Sequence, residues 1–133
     1  MKGFGQKDKS QIKQTNKLNS KLSKKEIIHR ALTLHSQGKI KEAAIYYQYF
    51  INQGFRDGNL FSNYAAILRS LKKLNEAETL LRKAIELKPD FAMAYSNLGN
   101  VLRDLGKLKE SEIFFRKAIE LKPDFAMAYS NLG

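Results

Sequence analysis

The sequence predicts an all-α fold, an α-solenoid of antiparallel helix pairs with about three repeats and a truncated fourth. Three observations predict it. The eighteen residues 82–99, RKAIELKPDFAMAYSNLG, return unchanged at residues 116–133, an offset of 34. A self-match at a fixed period of this length marks stacked supersecondary units. Apolar residues recur at helical spacing between the turn residues Gly38, Gly54, Pro89, Gly106 and Pro123, and no stretch alternates with the period of a strand.

Taken in order, residues 1–22 are rich in Lys, Gln, Asn, Ser and Gly. They hold too little apolar surface to offset the entropy of ordering, and a mostly disordered leader is expected. Ser23 with Glu26 three residues later forms a capping-box pattern. The helix that follows runs to about residue 37, carries Ile27, Ile28, Ala31, Leu32 and Leu34, and ends at Gly38. A second helix, 40–53, carries Ala43, Ala44, Tyr47, Phe50 and Ile51 and stops at Gly54. Asp57 is the expected N-cap of a third, 58–71, with Phe61, Tyr64, Ala65, Leu68 and Leu71. The fourth, 74–87, holds Ala77, Leu80, Leu81, Ala84 and Ile85. Pro89 cannot continue it, and Asp90 is the expected cap of the next. The fifth, 92–105, ends at Gly106, and the sixth, 108–121, ends before Pro123. A seventh begins near residue 126 and is cut at Gly133. Linkers of two to five residues make neighbouring helices antiparallel. The expected organisation is a basic leader, 1–22, and an array, 23–133, divided into a degenerate repeat at 24–57, repeats at 58–91 and 92–125, and a partial repeat at 126–133.

The two helices per 34 residues and their pattern of small and large side chains resemble the tetratricopeptide repeat. In block 92–125, Tyr95 stands at the family's first aromatic position, Leu98 and Gly99 at its Leu-Gly pair, Phe115 and Ala118 at its later aromatic and small positions, and Pro123 at its closing proline. Leu102 replaces the family's Tyr and Ser111 its Ala. Block 58–91 shares 19 of 34 residues with that block and offers Phe61, Tyr64, Ala65, Leu68, Ala77, Leu81, Ala84 and Pro89. Block 24–57 offers Ile27, Ala31, Leu34, Gly38, Ala43 and Tyr47, but has Phe50 where a small residue is usual and Phe55 where Pro is usual. Ala65, Ala77, Ala84 and Gly99 are expected where helices cross most closely, since a larger side chain would force them apart.

The resemblance implies a protein-interaction module whose first helices line a groove. In this register Asn63, Asn97 and Asn131 recur once per repeat, each preceded by a serine. An amide offers a donor and an acceptor, so such a row can pair with the backbone of an extended peptide. It is similar to the asparagine ladder in the repeats of protein O-GlcNAc transferases. The plain alternative is a solvated Asn copied by duplication, although Asn63 lies outside the eighteen identical residues. Asn100, Arg69 and Arg103 are placed on the same face, where Arg favours a carboxylate-bearing partner. Repeats that clamp the C-terminal carboxylate of chaperones use Lys and Asn on the first helices. The matching positions here carry Ile28, Leu32, Ser62 and Ala66, and only Asn63 fits.

Composition narrows the classes further. The net charge is +11, of which residues 1–25 hold eight Lys and one Asp, +7, and the rest +4. A basic leader can be a solvated tail or an arm on nucleic acid or an anionic membrane surface. It contains no Arg and one aromatic, Phe4, which weakens the nucleic-acid reading. Pentatricopeptide RNA readers have a period of about 35, unlike the 34 found here. With no Cys there is no disulfide framework and no thiolate metal site. His29 and His35 are six apart and do not share a helical face as a metal pair would; both are expected as surface residues. Glu76 with Glu78 and Glu110 with Glu112 point apart on a helix and read as solvated charges. No phosphate-binding glycine loop occurs. No catalysis, cofactor or metal is expected. The N-terminus lacks the apolar core of a secretory signal, and no apolar run is long enough to span a membrane, so the expected compartment is the cytoplasm.

Two functions follow: a scaffold that binds a peptide or partner protein, or the substrate-recognition arm of a larger glycosyltransferase or sulfotransferase, of which this chain would be a fragment. The last eight residues would leave Tyr129 and Leu132 uncovered, a face through which copies can self-associate.

Overall fold

A computed structural model of the chain describes residues 22–124. Among them are six α-helices and no strand: α1 Lys24–Ser36, α2 Ile40–Asn52, α3 Gly58–Ser70, α4 Leu74–Leu87, α5 Ala92–Asp104 and α6 Leu108–Leu121. The leader 1–21 and the partial repeat 126–133 lie outside the described residues.

The helix ends follow local chemistry. Ser23 and Glu26 close the capping box, the Ser23 hydroxyl accepting from Glu26 N–H and the Glu26 carboxylate from Ser23 N–H. Asp57 caps α3, its Oδ1 accepting from Leu60 N–H at 2.8 Å. Asp90 does not cap α5. The N-cap is Phe91 and makes no side-chain cap bond; Phe91 N–H closes a turn onto Lys88 O and helix begins one residue later than Asp90 would need.

The C-terminal ends of the three first helices share one device. Lys39 N–H reaches back to Leu34 O, Lys73 N–H to Leu68 O and Lys107 N–H to Leu102 O. This six-residue closure needs a left-handed residue inside it. Gly38 and Gly106 supply it at φ 77° and 81°, but α3 uses Lys72 at φ 65°. A side chain in that conformation costs about 1 kcal/mol or more. Lys72→Gly is therefore expected to raise stability by roughly 0.5–1 kcal/mol, read as a higher urea midpoint at unchanged m-value.

The helices fall into two compact units with the boundary between Phe55 and Arg56. In the first, α1 packs on α2 around Ile27, Ala31, Ala43, Tyr47 and Phe50, all essentially inaccessible. In the second, α3 packs on α4, α4 on α5, α5 on α6, and α3 lies beside α5. Its core holds Leu60, Ala65, Ile67, Leu81, Leu98, Val101, Leu102, Phe115 and Ala118. The small residues expected at close crossings are there: Ala65, Ala77 and Ala84 are fully buried. A Cβ on Gly99 would lie 2.7–2.9 Å from three atoms of the Phe115 ring. Ser111, where the family has Ala, is buried with its hydroxyl donating to Gly99 O at 2.7 Å.

Candidate functional site

In the second unit the first helices of two successive pairs, α3 and α5, lie side by side, and three of the residues expected to line a groove, Arg69, Asn97 and Asn100, meet between them. A cavity of about 50 Å³ is lined by Ala65, Ala66, Arg69, Leu81, Asn97, Asn100 and Val101. Ala65, Leu81 and Val101 are its buried apolar part. Arg69, Asn97 and Asn100 supply its polar groups.

Three of these groups already have partners. Asn97 Nδ2 donates to Ser62 Oγ at 2.9 Å, a bond from α5 to α3. Arg103 Nη2 donates to Asn100 Oδ1 at 3.1 Å, and its guanidinium lies 5.8 Å from the Phe115 ring centroid. Arg69 Nε donates to Asp104 Oδ2 at 2.6 Å, again from α3 to α5. The Arg69 bond first, then the charges of Arg69, Arg103 and Lys72, hold the Asp104 carboxyl below its ordinary value against a smaller effect of burial. Asn100 is nearly buried, while Asn97 keeps part of its amide in solvent. Asn63 is half-buried on α3 and does not line the cavity. Asn131 lies outside the described residues.

In the sequence pattern Ser62 and Ser96 are simply the residues that precede Asn63 and Asn97. Both serines are fully buried, and Ser62 is a hydrogen-bond partner across helices. Glu78 is likewise not merely solvated: it bonds Arg82 and Lys107, while Arg82 also reaches Glu110 at 2.6 Å, tying α4 to α6. Burial pushes the Glu78 carboxyl up, but those hydrogen bonds prevail and hold it low.

The first unit holds a broad hollow of about 390 Å³ lined by His29, Arg30, Thr33, Leu34, Glu42 and Tyr46. His29 is exposed, as expected, but His35 is half-buried. His35 Nδ1 lies 2.7 Å from Tyr47 Oη, the rings meeting edge to face at 5.7 Å. With the imidazole proton on Nε2, the Tyr47 hydroxyl donates to Nδ1. Burial pushes the Tyr47 hydroxyl up to about 12 and the His35 imidazole down. A lowered histidine means that the folded chain binds fewer protons than the unfolded one. That stability is full above the unfolded value of about 6.5 and is lost as pH falls through the lower folded value. Resistance to urea is thus expected to fall from about pH 7 to about pH 5, before carboxylates titrate, and His35→Gln is expected to flatten this slope.

Among the described residues no group of His, Cys, Asp and Glu could hold a metal ion, and no helix is long and apolar enough to cross a membrane. The tetratricopeptide repeat family model matches residues 56–124, more than half of the chain. The chain belongs to the tetratricopeptide repeat family. Its fold is that family's all-α helical repeat, in which such repeats serve as protein-interaction modules. No curated protein matches the chain by sequence. Among solved structures, a crystal structure of MamA is similar with a TM-score of 0.80 at 21% identity, over 91% of this chain and 72% of that one. The first tetratricopeptide repeat domain of Spaghetti (RPAP3), solved with an HSP90 peptide SRMEEVD, has a TM-score of 0.73 at 25% identity, over 84% and 90%. The second such domain of human RPAP3, solved with an HSP70 peptide SGPTIEEVD, has a TM-score of 0.71 at 26% identity, over 80% and 88%.

Proposed function

We propose that this tetratricopeptide chain binds an extended peptide of a partner protein along α3 and α5, and has no catalysis of its own. The observation that carries the reading is the meeting of Arg69, Asn97 and Asn100 around one small cavity. Asn97 retains amide capacity beyond its bond to Ser62, since a carboxamide has two donors and an acceptor oxygen. Asn63, one repeat earlier, extends the line, and Asn131 extends the sequence pattern by one more repeat. Arg69 is held by Asp104 in a partly exposed pair. Such pairs contribute only about 0–1 kcal/mol, so a peptide carboxylate can compete for the guanidinium. Peptide binding by the RPAP3 domains supports the class of ligand. The terminal-carboxylate clamp is not the mode proposed, because Ser62 and Ala66 stand at two of its positions, and Ser62 is buried.

The test is selection of peptides from a display library on the full chain, followed by titration of a selected peptide against Asn63→Ala with Asn97→Ala. Affinity is expected to fall tenfold or more. Removing the Asn97 amide also unpairs Ser62, a loss of about 1 kcal/mol in stability, so the melting curve is recorded alongside. Unchanged affinity in a folded variant overturns the ladder. The arm of a glycosyltransferase or sulfotransferase would use the same groove, and an in-frame transferase sequence after codon 133 is the observation that would favour it.

A further inference from the structure

Building on the peptide reading above, we propose that Arg69, Lys72 and Arg103 form an anion site at the C-terminal ends of α3 and α5. It takes the phosphate of a phosphoserine or phosphothreonine in the partner peptide, and Asp104 occupies it until that peptide arrives.

Asp104 is a carboxylate in an unfavourable place. It is the last residue of α5, where the helix dipole opposes an anion. Its counterparts at the same repeat position are the neutral Ser36 and Ser70. Yet its carboxyl is held below its ordinary value, by the Arg69 bond first and then by the charges of Arg69, Arg103 and Lys72. The field at this end of α3 and α5 is therefore positive enough to outweigh the dipole. Three cations against one carboxylate leave two positive charges in surplus, the complement of a phosphate monoester dianion.

Lys72 points the same way independently. It stands at φ 65° where Gly38 and Gly106 hold the corresponding positions. The turn that requires this conformation also closes Lys72 N–H onto Arg69 O, so a strained residue sets a lysine one turn after the arginine. A side chain kept in that region at a cost to the fold points to a use for the side chain.

The pair is also open to exchange. The Arg69 and Asp104 side chains are 37% and 29% exposed, so an incoming group reaches them from solvent. A peptide carboxylate competes with Asp104 only as an equal, against a group already tethered by the fold at 2.6 Å. A phosphate brings a second charge and three acceptor oxygens, two of which suit the fork of a guanidinium. Displacement of Asp104 thus favours phosphate over carboxylate.

The test is a titration of the full chain, labelled with nitrogen-15, with N-acetyl-O-phosphoserine methylamide, the equivalent blocked aspartate and inorganic phosphate. The phosphoserine probe is expected to shift the Arg69 and Arg103 Nε–Hε resonances and to bind at least about tenfold tighter than the aspartate probe. Asp104→Asn removes the internal occupant and is expected to raise phosphoserine affinity about tenfold while admitting the aspartate probe. Lys72→Gly carries the deciding sign: the urea midpoint rises, as expected above, while phosphoserine affinity falls severalfold. A lysine that is merely strained would move the first and not the second. Equal affinity for the two blocked residues, no shift with either, or unchanged phosphoserine binding in Lys72→Gly or a folded Arg69→Gln overturns the proposal. So does tighter binding of inorganic phosphate, which would make this a free-ion site. Neither blocked residue needs the asparagine row, so Asn63→Ala with Asn97→Ala should leave their binding intact, and a failure of the ladder stays separate from a failure here.

Discussion

Phe115→Ala is expected to lower the unfolding free energy of the second unit by about 3–5 kcal/mol, the range for deleting a buried aromatic ring. Phe115 is 2% exposed, and its ring lies where Gly99 leaves room for it, within 2.9 Å of where a Cβ would stand. Glycine has no side chain with which to refill the space, so the site collapses poorly and the cost should lie toward the upper end. The ring also meets the Arg103 guanidinium at 5.8 Å, and Arg103 in turn holds Asn100. The loss should therefore reach the cavity between α3 and α5. Gly99 gives the sharper half of the prediction. Gly99→Ala adds about 1 kcal/mol of helix propensity, but it drives a methyl into a buried ring that cannot swing away. The clash should outweigh the propensity and leave a net loss of roughly 1–2 kcal/mol. With Phe115→Ala present, the clash is gone and Gly99→Ala should become stabilising. Urea unfolding of the four variants checks the reversal, and a Gly99→Ala effect of the same sign in both backgrounds would show that the ring is not what the glycine accommodates.

The features written in local sequence were legible before any coordinates. Ser23 with Glu26, Asp57, Gly38 and Gly106 act through bonds that close within a few residues, and each is where the sequence puts it. Asp90 does not cap because the turn that closes Phe91 N–H onto Lys88 O starts the helix at Ala92, with Phe91 and not Asp90 at the N-cap. Lys72 was missed because a left-handed lysine looks like any other lysine; only its place, 34 residues from Gly38 and from Gly106, betrays it. The recurrence of Asn63 and Asn97 at one repeat position was legible, because the period sets it. Their partners were not. Asn97 with Ser62 and Arg69 with Asp104 join residues 35 apart, and such pairs depend on how far one helix slides along the next. The same holds for His35 and Tyr47: both were visible, one as a surface histidine and one as core, but their bond depends on side-chain direction rather than spacing.

Phe50→Ala separates pattern from packing most directly. By the repeat pattern it is an improvement, since Ala84 and Ala118 occupy the same position in the later repeats. By packing it should be among the most damaging changes in the first unit, about 3–5 kcal/mol. Phe50 is fully buried, and its ring sits 5.4 Å from that of Phe55 at a tilt of 52°. Phe55 is the other departure from the pattern, standing where Pro89 and Pro123 stand. The two departures thus meet in space: the ring at position 50 fills the pair, and the ring at position 55 packs against it where a proline stands in the later repeats. Lys24 Nζ lies 6.0 and 5.8 Å from the two ring centroids, at the outer limit of a cation–π contact. Phe55 N–H also bonds Phe50 O at 3.3 Å, a bond that proline would lack. Because the rings share one contact surface, Phe50→Ala and Phe55→Ala should not add: the double variant should lose less than the sum of the singles by roughly 0.5–1.5 kcal/mol. Chemical denaturation of the full chain followed by Tyr fluorescence measures the three values. A stable Phe50→Ala would mean that the first helix pair accepts the pattern of its neighbours, and additive losses would mean that the two rings are not energetically coupled.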